Sequence, residues 1–153
     1  MHLEIERRFL VNLEHFIIPD KKKHIKQGYL LFDKNQILRV RKIDDEFYLT
    51  YKYKQTNINR LEFEYKIPLE DGEKLLTLSK DYLIDKDRYY LNSGKHVWEI
   101  DIFHSHNEGL IIAEIELQDE NEKIYIPTWV GKEISNDDRY LNFNLSSKPF
   151  KMW

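Results

Sequence analysis

Charged and apolar side chains alternate with a period of two in this chain, and the alternation recurs from one segment to the next. Leu3, Ile5 and Phe9 interleave with Glu4, Glu6 and Arg8; Leu38 and Val40 with Arg39 and Arg41; Tyr51 and Tyr53 with Lys52 and Lys54. Leu61, Phe63, Tyr65 and Ile67 interleave with Arg60, Glu62, Glu64 and Lys66. Trp98, Ile100 and Ile102 do so with Glu99 and Asp101, and Ile115 and Leu117 with Glu114 and Glu116, while Lys86 and Arg88 share a face. Successive side chains of a strand point to opposite faces, so this period predicts strands with one apolar and one charged face. Strands are predicted over about 2–11, 25–32, 36–43, 46–54, 60–67, 83–91, 96–104 and 109–117.

The links between them are short and rich in turn residues, as in Asp33-Lys34-Asn35, Asp44-Asp45, Asn92-Ser93-Gly94 and His106-Asn107-Glu108-Gly109. A helix is expected over about 69–80, with Leu69, Leu75, Leu76 and Leu78 for packing and acidic residues in its first turn. A second, short helix is expected from Asn136 or Asp137, either of which could cap it, to about Leu145. No linker, repeat or low-complexity tract interrupts the 153 residues, so residues 1–153 form a single domain. The fold class is α+β, mainly antiparallel β.

One solvated face of an antiparallel sheet would account for any single strand. The set is harder to explain that way, because the signs are sorted by strand, whereas a solubilising surface intersperses them. Like charges two residues apart lie only about 6.5–7 Å from each other along a strand. Cations would neutralise the acidic pairs, and a polyanion the basic ones. Hard divalent cations take oxygen ligands, and Mg²⁺ is typically held by one or two carboxylates plus water and phosphate oxygens. About eight strands can close into a barrel whose interior holds one small ligand. With the charged faces inward, the result is an eight-stranded closed β-barrel with a few flanking helices. Its apolar outer faces then need cover from helices, loops or a second subunit, and a homodimer is one arrangement that provides it.

Composition narrows the alternatives. The chain has no Cys, which removes disulfides, thiol nucleophiles and Cys-ligated metal sites. A net charge of -3 despite 33% charged residues argues against a nucleic-acid partner bound by bulk positive charge. No apolar run approaches the length of a membrane span, and the charged opening lacks a signal-peptide core, so no membrane association is expected and the cytoplasm is the default location. The five Gly form neither a phosphate-binding loop nor a dinucleotide fingerprint. His104-Ser105-His106 could place two imidazoles on one strand face, but it abuts a predicted turn; Lys21-Lys22-Lys23 reads as a solvated loop.

Several segments, in order, resemble the CYTH superfamily of triphosphate tunnel metalloenzymes. Glu4-Ile5-Glu6-Arg7-Arg8 is similar to its glutamate-x-glutamate-x-lysine signature, and Lys26-Gln27-Gly28-Tyr29-Leu30, Leu38-Arg39-Val40-Arg41 and Leu49-Thr50-Tyr51-Lys52 to the segments that follow. Arg60-Leu61-Glu62-Phe63-Glu64, Lys86-Asp87-Arg88-Tyr89, Trp98-Glu99-Ile100-Asp101, Ala113-Glu114-Ile115-Glu116, Trp129 to Glu133 and Asp138-Arg139-Tyr140-Leu141-Asn142 continue the resemblance to about residue 145. It implies an eight-stranded tunnel that binds a small-molecule triphosphate and a divalent metal, Mg²⁺ or Mn²⁺.

Position by position, the resemblance implies that Glu4, Glu6, Glu114 and Glu116 bind metal, with Asp101 a further participant. Arg8, Arg39, Arg41, Lys52, Lys86 and Arg88 would hold phosphate oxygens, and Arg139 would reach the tunnel from a helix that plugs one end. Glu62 and Glu64 are supporting acidic positions. Tyr29 could position water or the leaving group, or be an ordinary strand aromatic. The signature's Lys is Arg8 here, a permanently charged planar fork that cannot act as a base, so Lys86 is the candidate for that role. The resemblance to small bacterial tripolyphosphatases implies hydrolysis of tripolyphosphate to pyrophosphate and phosphate. A nucleoside or thiamine triphosphatase, an adenylate cyclase of the same fold and a non-catalytic polyphosphate-binding module are the other readings.

Overall fold

A computed structural model describes residues 2–153. Its strands are His2–Val11 (β1), Lys22–Phe32 (β2), Gln36–Ile43 (β3), Glu46–Lys54 (β4), Asn59–Ile67 (β5), Lys80–Ser93 (β6), His96–Phe103 (β7), Ile111–Glu116 (β8) and Val130–Glu133 (β9). The α-helices are Leu69–Thr77 (α1) and Asn142–Ser147 (α2). The strands lie in the order β5-β4-β3-β2-β6-β7-β8-β1-β9, and a further pairing of β1 with β5 closes the sheet. All the pairings are antiparallel, as strands joined by tight turns require. This is the expected eight-stranded closed barrel, with β9 added on the edge of β1.

Strand β1 makes the seam. Its residues from His2 to Ile5 pair with β5, those from Glu6 to Leu10 with β8, and Phe9 and Val11 with β9. Register follows from the alternation, because a slip of one residue would turn every charge of a strand outward. Gly94, at φ +60, makes the turn between β6 and β7.

The outer apolar faces find most of their cover within the chain. Ile5, Phe9, Tyr89, Trp98, Ile100, Ala113 and Ile115 pack with Leu117 and Trp129, so the segment after β8 folds back across β1 and β6–β8. Helix α1 lies over β3 and β4, with Gly72 seated against the Phe47 ring. Tyr53 and Tyr65 remain exposed on the outer face of β4 and β5. Inside the barrel, the charged rows give way toward one end to Tyr29, Ile84, Phe103 and Ile112, which pack with Leu145 of α2. That helix closes this end with an apolar plug.

Several boundaries differ from expectation. Strand β2 begins at Lys22, so Lys22 and Lys23 of the expected solvated loop lie in a strand, paired with Tyr89 and Arg88 of the long β6. The strand β9 has only four residues, too few to show a period; Gly131 marks it, since a Cβ there would come within 3.0 Å of the Leu10 carbonyl oxygen. The first helix stops at Thr77, and Lys80 already belongs to β6. The second is split. Asp137 caps a single 3₁₀ turn at Asp138–Tyr140, and the extended backbone of Leu141 then separates it from α2. Among the described residues no helix is long and apolar enough to cross a membrane.

Candidate active site

The inward-facing rows converge on one polar cavity. It is lined by Glu4, Glu6 and Arg8 of β1, Tyr29 of β2, Arg39 and Arg41 of β3, Lys52 of β4 and Glu62 of β5. Lys86 and Arg88 of β6 and Glu114 and Glu116 of β8 complete the predicted set that reaches it. Arg60, Glu99 and Asn142 also line it. The first two share faces with Glu62 and Asp101 and were legible from parity; Asn142 lies beyond the strands, at the first turn of α2.

Register sets the electrostatics. Glu6 stands opposite Glu116 across β1 and β8, and Glu99 opposite Glu114 across β7 and β8. Like charges directly opposite one another destabilise a sheet. Arg88 already contacts both Glu99 and Glu114, so it is the Glu6–Glu116 pair that calls for a cation between strands. The Glu6 carboxyl is pushed up to about 8 by burial and then by the neighbouring Glu114 and Glu4 charges. Glu4 behaves oppositely. Burial would raise it, but Lys52, with contacts of 2.8 and 3.0 Å, brings it down to about 2. Among the described residues no three carboxylate or imidazole groups are already drawn together as a cage. An all-oxygen set that holds back a proton on one member nonetheless suits a hard divalent cation.

The basic wall falls into two groups. Lys86 and Arg88 are held by a carboxylate: Lys86 Nζ donates to Asp101 Oδ2 at 2.8 Å, and Arg88 grips Asp101 through Nε at 2.7 Å and Nη2 at 2.8 Å. Burial holds Lys86 down to about 8 against the opposing pull of Asp101. Arg8, Arg41 and Arg60, by contrast, have no carboxylate within 4.0 Å among the described residues. Arg8 is 3% exposed, and its Nη1 is buried without a hydrogen-bond partner. Arg41 is lowered to about 10 by burial and by Arg39 and Arg88. A buried guanidinium without a counter-ion is costly unless an anion comes to it.

Two predicted placements are corrected. Asp101 does not face the cavity as a ligand donor: fully buried, it accepts three hydrogen bonds from Lys86 and Arg88, which hold its carboxyl below the usual range. Asp101 aims those two cations. Arg139 does not reach the tunnel. It lies on the surface in a two-pronged bond to Asp137, stacked over Tyr140 and Trp153, because the 3₁₀ turn that carries it sits outside the barrel end. Asn142 is the tail residue that enters, accepting from Lys86 Nζ at 2.9 Å. Glu64 stands at the margin, accepting from Thr50 Oγ1 at 2.7 Å and 3.6 Å from Arg39.

A closed antiparallel tunnel that brings opposed carboxylates together with guanidiniums lacking a counter-ion defines a receptor for a polyanion together with a cation. The CYTH domain model matches residues 2–148, and the chain belongs to the CYTH family. It is 43% identical over 152 residues to an inorganic triphosphatase of Acetivibrio thermocellus, covering 99% of this chain and 97% of that one. It is 33% identical to an inorganic triphosphatase of Nitrosomonas europaea, covering 91% and 93%. The fold also superposes on a solved crystal structure of an inorganic triphosphatase with a TM-score of 0.68, at 30% identity and 95% coverage of both chains.

Proposed function

We propose that this chain is a metal-dependent inorganic triphosphatase that hydrolyses tripolyphosphate to pyrophosphate and phosphate. The observation that carries the reading is the coexistence, in one cavity, of carboxylates opposed across strands and buried guanidiniums without counter-ions. Two relatives named inorganic triphosphatase, matched over nearly their whole length, point the same way.

Glu4, Glu6, Glu114 and Glu116 would hold the divalent cation, Mg²⁺ or Mn²⁺. When bound, such a cation neutralises charge on phosphate oxygens as a Lewis acid. Arg8, Arg39, Arg41, Lys52 and Arg88 bind and orient the phosphates, the positioning that dominates phosphoryl transfer. Water attacks a terminal phosphorus in line; the new bond is O–P, and the bond broken joins that phosphorus to the bridging oxygen. Lys86, held near 8, is the cavity lysine best suited to exchange a proton near neutrality, and Asp101 and Asn142 fix its direction. Lys52 has to leave Glu4 before either partner can serve substrate or cation. Metal and triphosphate should therefore bind with positive coupling.

The test is phosphate release from tripolyphosphate, ATP, thiamine triphosphate and pyrophosphate, with Mg²⁺ or Mn²⁺ and with chelator, alongside a cyclic AMP readout. Metal-dependent turnover with tripolyphosphate preferred supports the reading. Preference for an organic triphosphate reassigns the substrate, and tight binding without turnover makes the chain a polyphosphate-binding module.

A further inference from the structure

Gln27 is wholly buried on the inner face of β2, opposite Arg41 of β3. Every hydrogen-bonding group of its amide that the geometry allows is spoken for by a group of the active site. Its Oε1 accepts from Arg41 Nε at 2.8 Å; its Nε2 donates to the Tyr29 hydroxyl oxygen at 2.8 Å and to Asn142 Oδ1 at 3.4 Å. The same Asn142 oxygen accepts from Lys86 Nζ at 2.9 Å. One neutral side chain thus ties together β2, β3 and the N-terminal turn of α2.

The orientation of that amide is dictated by its partners. A guanidinium only donates, so the oxygen must face Arg41 and the NH₂ must face Tyr29 and Asn142. The Tyr29 oxygen then receives a proton donor from behind, which leaves its own O–H free to donate into the cavity that the ring lines. Burial also raises the Tyr29 phenol, keeping that proton in place. On the other side, Arg41 is aimed by a group that carries no charge. A carboxylate of the same shape would aim it equally well and cancel it.

We infer that Gln27 is a positioning residue of the triphosphatase: it makes Tyr29 a hydrogen-bond donor to a substrate phosphate oxygen and presents Arg41 as an uncompensated cation. This rests on the triphosphatase reading and assigns a cause to the direction of two of its groups. It also accounts for a polar residue completely buried beside the apolar plug, where an apolar one would pack as well. Glutamate at this position would reverse both effects, because a carboxylate only accepts. It would pair with Arg41 and draw the Tyr29 proton back toward itself.

The experiment compares wild type, Gln27→Glu and Gln27→Met by thermal unfolding, by steady-state kinetics on tripolyphosphate from pH 5.5 to 8.5, and by calorimetric titration with tripolyphosphate in chelator. Gln27→Glu is expected to raise KM and to lower kcat, each by about tenfold near pH 8. Beside Arg41 the new carboxylate stays ionised over this range, so its deficit relative to wild type should persist from pH 5.5 to 8.5. Gln27→Met should lower kcat more than it raises KM, since Arg41 keeps its charge but loses its aim. A folded Gln27→Glu with wild-type KM and kcat overturns the inference. Should that variant not fold, Gln27→Met and Tyr29→Phe combined decide: less than additive losses support it, fully additive ones refute it. Wild-type turnover tests the triphosphatase reading separately, and the calorimetric arm reads Gln27 even without turnover.

Discussion

Replacing Asp101 with Asn separates an aiming residue from a metal ligand. The change keeps volume but removes the carboxylate shared by two buried cations, Lys86 at 1% and Arg88 at 8% exposure, leaving Arg88 with Glu99 and Lys86 with no carboxylate among the described residues. Removing one partner of a buried ion pair costs about 3–5 kcal/mol, because the remaining charge is left uncompensated. At about 2–4 °C per kcal/mol for a domain of this size, the melting temperature should fall by roughly 6–20 °C. The loss should depend on pH. Lys86 is already held near 8, and without Asp101 it would fall further, so it can shed its charge at alkaline pH. The variant should therefore be most destabilised near pH 6 and least near pH 9. Tripolyphosphate, by supplying the missing negative charge, should raise its melting temperature by more than it raises that of wild type. Urea unfolding with and without tripolyphosphate, together with Mg²⁺ calorimetry, reads all three quantities. A variant as stable as wild type that has lost Mg²⁺ affinity would return Asp101 to the metal site and refute the reasoning.

Other consequences are open to measurement. Glu6 is raised from 4.5 to about 8, so it is mostly protonated at pH 7 and must lose that proton to serve as a ligand; Mg²⁺ binding should release close to one proton at pH 7 and tighten as pH rises toward 8. Calorimetry in buffers of different ionisation enthalpy checks this, and affinity flat from pH 6 to 9 would contradict it. Outside the barrel, Asp87 accepts from Lys22, His24 and His104 and is lowered from 3.8 to about 2, burial notwithstanding. Its folded value lies below its unfolded one, so its contribution is complete above about pH 4 and fades as pH falls through 2. Asp87→Asn should cost on the order of 2 kcal/mol at pH 6 in urea unfolding and much less near pH 2; an equal loss at both would count against it. A Cβ at Gly72 would lie 2.1 Å from the Phe47 ring, so Gly72→Ala should cost about 1–3 kcal/mol through overpacking while the folded enzyme keeps its kcat.

Much of the barrel could be read from parity alone, since each of its strands buries one face and a period of two survives in Glu4-Ile5-Glu6 or Glu114-Ile115-Glu116. The inward row of charges was legible for the same reason. What parity cannot tell is which inward charge meets another charge and which meets solvent or ligand. Asp101 has the same period as Glu99, yet cross-strand register places it opposite Arg88 and hides it. Arg139 and Asn142 belong to the tail, where no period operates. There the break at Leu141 decides which of them enters the tunnel, and that depends on packing of α2 against residues far away in sequence. Gln27 is a neutral residue in a charged row, and only the contacts of its amide show its use. The segment from Leu117 to Trp129 has no regular period, so its share in covering the outer face, beyond what two short helices supply, could not be read from the sequence.

The central claim is tested most directly by tripolyphosphate hydrolysis in wild type and Glu4→Gln, followed as phosphate release across a Mg²⁺ titration, with circular dichroism and thermal unfolding as the check on folding. Wild type should release one phosphate per tripolyphosphate, only with the cation present, and the variant should remain folded with kcat/KM reduced by at least about a hundredfold, as loss of a metal-site ligand implies. A folded Glu4→Gln with wild-type turnover, or wild-type hydrolysis that persists in chelator, would contradict it.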